Sequence, residues 1–233
     1  ENEGHTTIRL AGKAGGENQK FTYEGSFPSR SETNDFIPRL WASRKIGYLI
    51  DQIRLHGQNK ELVDEVVRLS KKYGIMTEYT SFLVDMDVHV AMEELEDRAR
   101  ENFARAKKVE KGAWAVGQAQ NAKRLRAQAM APTNEFFDAS GEMQRITGVR
   151  QIANKTFYFK DNGWVDNDYT PDQKLIKVKR FSEAYFQISR ALPETNQFLA
   201  LGNDVIINIG HQSFQIGEDG ETRFTQEEIK KFF

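Results

Sequence analysis

The hydrophobic positions change period several times along the chain, and each change predicts a different element. At the start, TTIRLAGK and QKFTYEGSF have strand character and flank the glycine-rich turn AGGEN. Two strands alone are marginal in water and need a sheet or a helix to lie on. The period then becomes helical. Phe36, Ile37, Leu40, Trp41, Tyr48, Leu49, Ile50 and Ile53 recur at threes and fours, with Asn34 placed to cap, Pro38 in the first turn and Gly57 as the stop. Trp41 is the largest apolar side chain of this face and is expected in the core.

A second helix is expected from its cap at Asn59 to Tyr73, with Leu62, Val63, Val66, Val67 and Leu69 on one side and Gly74 ending it. IMTEYTSFLV, residues 75–84, favours strand residues and has no charge after Glu78, so a buried strand is expected. Beyond it, Val88, Met92, Leu95, Ala99, Phe103, Ala106, Val109, Ala113 and Val116 form a narrow apolar seam. Glu94 and Arg98, Glu96 and Arg100, and Glu101 and Arg105 stand four apart. One long charged helix is expected, weakened at Gly112 and Gly117 and ending near Pro132. Its seam suits another helix or the chain's own domain.

TNEFFDASGEMQRITG reads as a linker. The rest reads as a small unit: strands in VRQIANKTFYFKDNGWVDNDY joined by Asp161-Asn162-Gly163, a strand in QKLIKVKRF, and a helix capped by Ser182. A short helix after Pro193, two strands around Gly210 and His211, and a final helix opened by the capping box of Thr225 and Glu228 complete it. The fold class is therefore α+β: an N-terminal β-hairpin, a helical hairpin and strand (1–84), a long charged helix (85–131), a linker (132–148) and a small α+β unit (149–233).

Composition narrows the function classes. The 233 residues carry 33 basic and 34 acidic side chains, a net charge of -1 that argues against a general nucleic-acid surface. There is no cysteine, which excludes disulfides, thiol nucleophiles and thiolate metal sites. No apolar run is long enough to span a membrane and no signal peptide is visible. The opening ENEGHTTIRL reads as the start of an excised or processed piece.

Local chemistry is sparse. Asp138, Ser140 and Glu142 have the spacing of a metal-ion-dependent adhesion motif, but glutamate replaces its last serine and no buried strand precedes it; a polar loop is the expected reading. Asp85, Asp87 and His89 would share one side of an extended chain, yet acids at a helix N-terminus account for them more simply. DNGWVDNDY lacks the ligand pattern of a calcium loop and reads as turn and edge residues. Lys123, Arg124 and Arg126 form a small basic cluster, with Lys107, Lys108 and Lys111 upstream. Phe157, Tyr158, Phe159 and Trp164 read as core and edge packing. The four histidines, His5, His56, His89 and His211, are widely separated, and no nucleophile elbow, phosphate loop or zinc-protease motif occurs. No catalytic, cofactor-binding or metal-binding residue is therefore assigned.

The run NDFIPRLWASRKIGYLIDQIRLHGQNKELVDEVVRLSKKYGIMTEYTSFLV resembles the segment after the von Willebrand factor A domain in inter-alpha-trypsin-inhibitor heavy-chain-like proteins, in particular bacterial members that begin with a VIT domain. Phe36, Pro38, Leu40, Trp41, Ala42, Ile46, Gly47, Leu49, Glu61, Leu62, Val63, Leu69, Tyr73, Gly74, Ile75, Thr77, Tyr79, Thr80, Ser81 and Phe82 carry the likeness. KTFYFKDNGWVD and RALPETNQFLALG are similar to the C-terminal region of such proteins. The resemblance implies that the first two strands return to a VIT sandwich, and that the family's metal site lies in an A domain outside this sequence. It implies an extracytoplasmic, periplasmic or cell-surface setting, with membrane anchoring through sequence outside this chain. The expected function is a non-enzymatic structural or protein-interaction segment of a bacterial envelope protein, adhesion-related. The expected partners are another protein, VIT and A domains of the same polypeptide, or a second copy through the long helix or the N-terminal strands. A divalent-metal-dependent adhesion or ligand-binding module is the alternative.

Overall fold

A computed structural model describes residues 4–27, 36–87, 90–108, 112–128, 134–209 and 212–232. The chain falls into two compact units, Glu1–Asp35 and Phe36–Phe233. The sequence-based boundaries at 84, 131 and 148 all lie inside the second.

The first unit is an antiparallel hairpin of β1 (Gly4–Ala14) and β2 (Glu17–Phe27), in register from Gly4 opposite Phe27 to Ala14 opposite Glu17. Its two turn residues, Gly15 and Gly16, have φ of 62° and 86°, the positive values that a tight hairpin connection requires and glycine supplies without strain.

The second unit begins with α1 (Phe36–His56) and α2 (Lys60–Tyr73). The Asn59 side chain caps α2 by accepting from Glu61 N, and Gly74 closes it in the left-handed conformation, its N–H donating to Ser70 O. Asn34, the expected cap of α1, lies outside the described residues. Two expectations are corrected here. Residues 75–84 form turns and a 3-10 helix, Ser81–Val84, and no strand. The cause is local: Thr77 Oγ1, Thr80 Oγ1 and Ser70 Oγ bond to one another and to nearby main chain, offering the backbone an alternative to a sheet. Trp41 is 51 % exposed, because the inward face of α1 is Ala42, Ser43, Ile46, Gly47, Leu49, Ile50 and Ile53. Small residues there admit a second helix closely: a Cβ on Gly47 would meet Arg126 Cγ at 2.9 Å and Leu125 Cβ at 3.0 Å.

The expected long helix is two helices, α3 (Met92–Lys107) and α4 (Ala113–Ala127), broken where Gly112 takes φ 92°. Leu95, Ala99, Phe103 and Ala106 are buried, so the seam packs within its own unit, α3 beside α2 and α4 beside α1. Met92 and Val116 of that seam are exposed, and Val88 and Val109 lie outside the described residues. The expected linker carries a short hairpin, β3 (Glu135–Phe137) and β4 (Met143–Arg145), tied to α4 by Asn121, whose side chain exchanges hydrogen bonds with Phe137 N and O.

A mixed six-stranded sheet follows in the order β5-β6-β7-β9-β10-β8: β5 (Val149–Ile152), β6 (Lys155–Lys160), β7 (Gly163–Asp166), β8 (Leu175–Lys179), β9 (Val205–Ile209) and β10 (Gln212–Gly217). Asp161 and Asn162 form the two-residue β6–β7 turn with φ of 46° and 71°. Gly210 and His211, expected at the β9–β10 turn, lie outside the described residues. One sheet face, with Val149, Tyr158 and Val165, joins the core of α1–α4. The other, with Phe157, Trp164, Val205, Ile207, Phe214 and Ile216, packs under α5 (Glu183–Ala191), α6 (Asn196–Leu199) and α7 (Gln226–Phe232). Tyr158 Oη and Thr156 Oγ1 donate to Lys71 O and Lys72 O at the end of α2, fastening the sheet to the helices. Ser182 caps α5, and Thr225 and Glu228 exchange capping-box bonds at α7. Among the described residues no helix is long and apolar enough to cross a membrane.

Candidate functional site

One unusual polar feature of the second unit begins with Glu78, a lone acid in an apolar run. The residue as a whole keeps some exposure, but both carboxylate oxygens are sealed from solvent and accept no hydrogen bond of good geometry. It borders a cleft of about 600 Å³ together with Arg105, Trp114, Phe136, Asp138 and Ile146. Opposite it, α4 presents Trp114, Gln118 and Asn121 at successive turns. Trp114 Nε1 and Gln118 Nε2 have no hydrogen-bond partner among the described residues, while Gln118 Oε1 accepts from Tyr79 Oη at 3.1 Å. Burial pushes the Glu78 carboxyl from 4.5 up to about 7. The nearby main chain, Asn121, Arg54 and Tyr79 only partly oppose this. Asn121 has little left to give, since its amide is already committed to Phe137.

Asp138 borders the same cleft in the opposite state. Its Oδ1 accepts from Ser140 Oγ at 2.6 Å, Ser140 N at 2.9 Å and Glu142 N at 3.0 Å, and its Oδ2 accepts from Gln144 Nε2 at 2.6 Å. The Ser140 hydroxyl, then Gln144 and the loop amides, hold its pKa down to about 2. The Asp138, Ser140 and Glu142 pattern thus closes its own turn: Glu142 contributes its main-chain N–H, and the lone pairs of Asp138 are spent on the loop.

The other sequence candidates are dispersed. Asp85 and Asp87 belong to the turn after the 3-10 helix, and His89 lies outside the described residues. Burial lowers the Lys160 pKa, which both acids and Asp161 only partly oppose, and its ammonium donates to Val84 O. In DNGWVDNDY, Asp166 is an interior residue, not an edge one: β7 lies between β6 and β9. Asp166 is fully buried and accepts from Lys155 Nζ at 2.7 Å, Asn208 N at 3.1 Å and Asp168 N at 3.1 Å. The basic cluster is partly neutralised by its own fold, through Arg126 to Asp51 at 2.6 Å and Arg124 to Glu135 at 3.5 Å; Lys111 lies outside the described residues. Phe157, Tyr158 and Trp164 are core, and Phe159 is 44 % exposed. Among the described residues no group of three or more histidines and acids converges as metal ligands would.

Two surfaces remain apolar. Along α1, Ile37, Trp41, Tyr48 and Leu55 stand outward. In the hairpin, the register puts Ile8 opposite Tyr23 and Leu10 opposite Phe21 on one face. His5, Thr7, Arg9 and Lys13 lie on the other with Lys20, Thr22 and Glu24. Phe21 and Tyr23 stack at 6.5 Å, yet all four apolar side chains stay about half exposed. The strand period that predicts β1 and β2 also carries the signal for this face. No family model matches the chain, and no curated protein or solved structure matches it either.

Proposed function

We propose that the chain is a non-enzymatic protein-interaction segment of a bacterial cell-envelope protein, acting outside the cytoplasm. In this reading the second unit is a rigid body, and the hairpin is the part that engages a protein partner by contributing two strands to a larger sheet. The observation that carries it is the amphipathic ribbon: eleven-residue strands with Ile8, Leu10, Phe21 and Tyr23 exposed on one face. A two-stranded ribbon is marginal alone and gains stability by joining a larger sheet, where its apolar side chains meet neighbours along the same face. The resemblance to the segment beside VIT and von Willebrand A domains supports the same use, since there the strands return to a sandwich. The cleft gives enzymatic chemistry little support. Asp138 is saturated by its loop, and Glu78 has no accessible oxygen with which to meet a substrate.

The test is amide hydrogen exchange of residues 4–27 as a function of protein concentration. Exchange near the rate of an open hairpin is expected in dilute solution, with protection appearing when a partner or a second chain is present. Strong protection in a dilute monomer would mean that the chain already covers its own ribbon, and would overturn the reading.

A further inference from the structure

We propose that the partner of the hairpin is a second copy of the chain, joined edge to edge through β2 in an antiparallel pair centred on Thr22. The inference rests on the interaction reading above and adds the occupant, the edge and the register.

The hairpin geometry decides which backbone groups are free. In a two-residue hairpin the residues flanking the turn exchange both hydrogen bonds, and bonded and non-bonded pairs alternate from there. With Ala14 opposite Glu17, the odd-numbered residues of β2 turn their N–H and C=O toward β1. Asn18, Lys20, Thr22, Glu24 and Ser26 turn theirs to the open edge. An antiparallel neighbour must meet these even-numbered residues with its own.

Among registers that do so, only the one centred on Thr22 sets Lys20 opposite Glu24 of the second copy, and does so twice by symmetry. Thr22 then faces Thr22 of the second copy at the axis, and Asn18 faces Ser26. On the apolar face Phe21 meets Tyr23 of the second copy in the closer, non-bonded positions, again twice. Glu24 is already oriented by His5 Nε2 at 3.3 Å and Thr7 Oγ1 at 3.0 Å on its β1 side, which leaves its outer side toward Lys20 of the second copy. Centring the pair on Lys20 or on Glu24 would place like charges face to face.

The β1 edge lacks this self-complementarity. Its outward residues include His5, Arg9 and Lys13 and no acid, so two β1 edges repel. Stacking β1 of one chain on β2 of the next would be open-ended and build a fibre, whereas the β2 pair closes on a two-fold axis. The product is a four-stranded sheet, β1-β2-β2-β1, with Ile8, Leu10, Phe21 and Tyr23 of both copies on one continuous face.

The charge pair supplies the test. Sedimentation of the whole chain should show a monomer–dimer equilibrium. Lys20→Glu or Glu24→Lys alone should weaken it about tenfold, because like charges then stand opposite one another at two places. Lys20→Glu combined with Glu24→Lys in one chain should restore it, and so should mixing the two single variants. Because the chain has no cysteine, Thr22→Cys should form an intermolecular disulfide on mild oxidation, while Arg9→Cys should not.

A dimer indifferent to all three charge variants, a fibre, or equal cross-linking at both positions would overturn the β2 pairing. A monomer at high concentration whose ribbon amides exchange freely would remove the second copy and leave the wider interaction reading standing. A monomer with protected ribbon amides would remove both.

Discussion

Replacing Glu78 with glutamine isolates the most unusual electrostatic feature of the second unit. In the unfolded chain this carboxyl titrates near 4.5, and in the folded chain burial raises it to about 7. The folded state therefore holds a proton that the unfolded state has released between those two values. Stability must fall as pH rises through this window and level off above it, opposite to a salt-bridged carboxylate. At 1.36 kcal/mol per pKa unit the full loss is about 3 kcal/mol, an upper value for a buried group with partial help from Asn121 and Arg54. Glutamine has the shape of the protonated acid and no charge to desolvate. Glu78→Gln should match the parent protein near pH 4 and exceed it by up to about 3 kcal/mol at pH 8, roughly 6–12 °C in Tm for a chain of this size. All three tryptophans, Trp41, Trp114 and Trp164, belong to the second unit, so urea unfolding followed by tryptophan fluorescence reports that unit directly. Taking the difference between variant and parent at each pH cancels other titrations. A difference that is constant across pH 5–8, or a variant that is less stable by the same amount throughout, would show that Glu78 is ionised and paired, and would refute the reasoning.

Three further outcomes follow from buried or strained groups. Asp166→Ala strands the Lys155 ammonium and two main-chain N–H groups. It should cost about 3–5 kcal/mol in urea unfolding, and pairing it with Lys155→Met should recover much of the loss; equal instability of the double variant would count against the buried pair. Tyr158→Phe removes the hydroxyl that donates to Lys71 O and should cost about 0.5–1.5 kcal/mol, with faster amide exchange where β6 meets α2; an unchanged unfolding midpoint would mean the bond contributes nothing. Phe181 adopts φ 60° while 68 % exposed, so Phe181→Gly should raise stability by about 1 kcal/mol, and a loss would show that its ring contact with Tyr185 outweighs the strain.

The parts of the fold that could be read from the chain are those settled within a few residues. Asn59, Ser182 and the Thr225 and Glu228 pair cap helices as their types suggest, and Asp161-Asn162 makes the turn that its φ-tolerant residues favour. Residues 75–84 misled because strand propensity describes side chains on a half-buried pleat. Here three hydroxyls, on Ser70, Thr77 and Thr80, compete for the backbone and win. Glycine 112 weakens the expected long helix and stands at the N-terminus of α4 in the structure, but nothing local to either half says that each lies back on a different helix of its own unit.

Trp41 and Glu78 show why the candidate sites were harder to read than the elements. A tryptophan belongs inside by transfer free energy and a glutamate outside, yet here Trp41 is half exposed and both Glu78 oxygens are buried. A single long-range event decides both. Where α4 crosses α1, Ala42, Ser43 and Gly47 let the helices approach more closely than large side chains would allow, so the inward face of α1 is its small-residue face and Trp41 is turned out. The same placement lays Trp114, Gln118 and Asn121 against the 77–84 segment and closes over the carboxylate of Glu78. Composition and periodicity are sums over one element and cannot register an approach between residues eighty positions apart. The hairpin is different. Its two faces and its outer edge follow from a two-residue turn and alternation alone, so the pairing proposed for Lys20 with Glu24 about Thr22 rests on the sequence and one register.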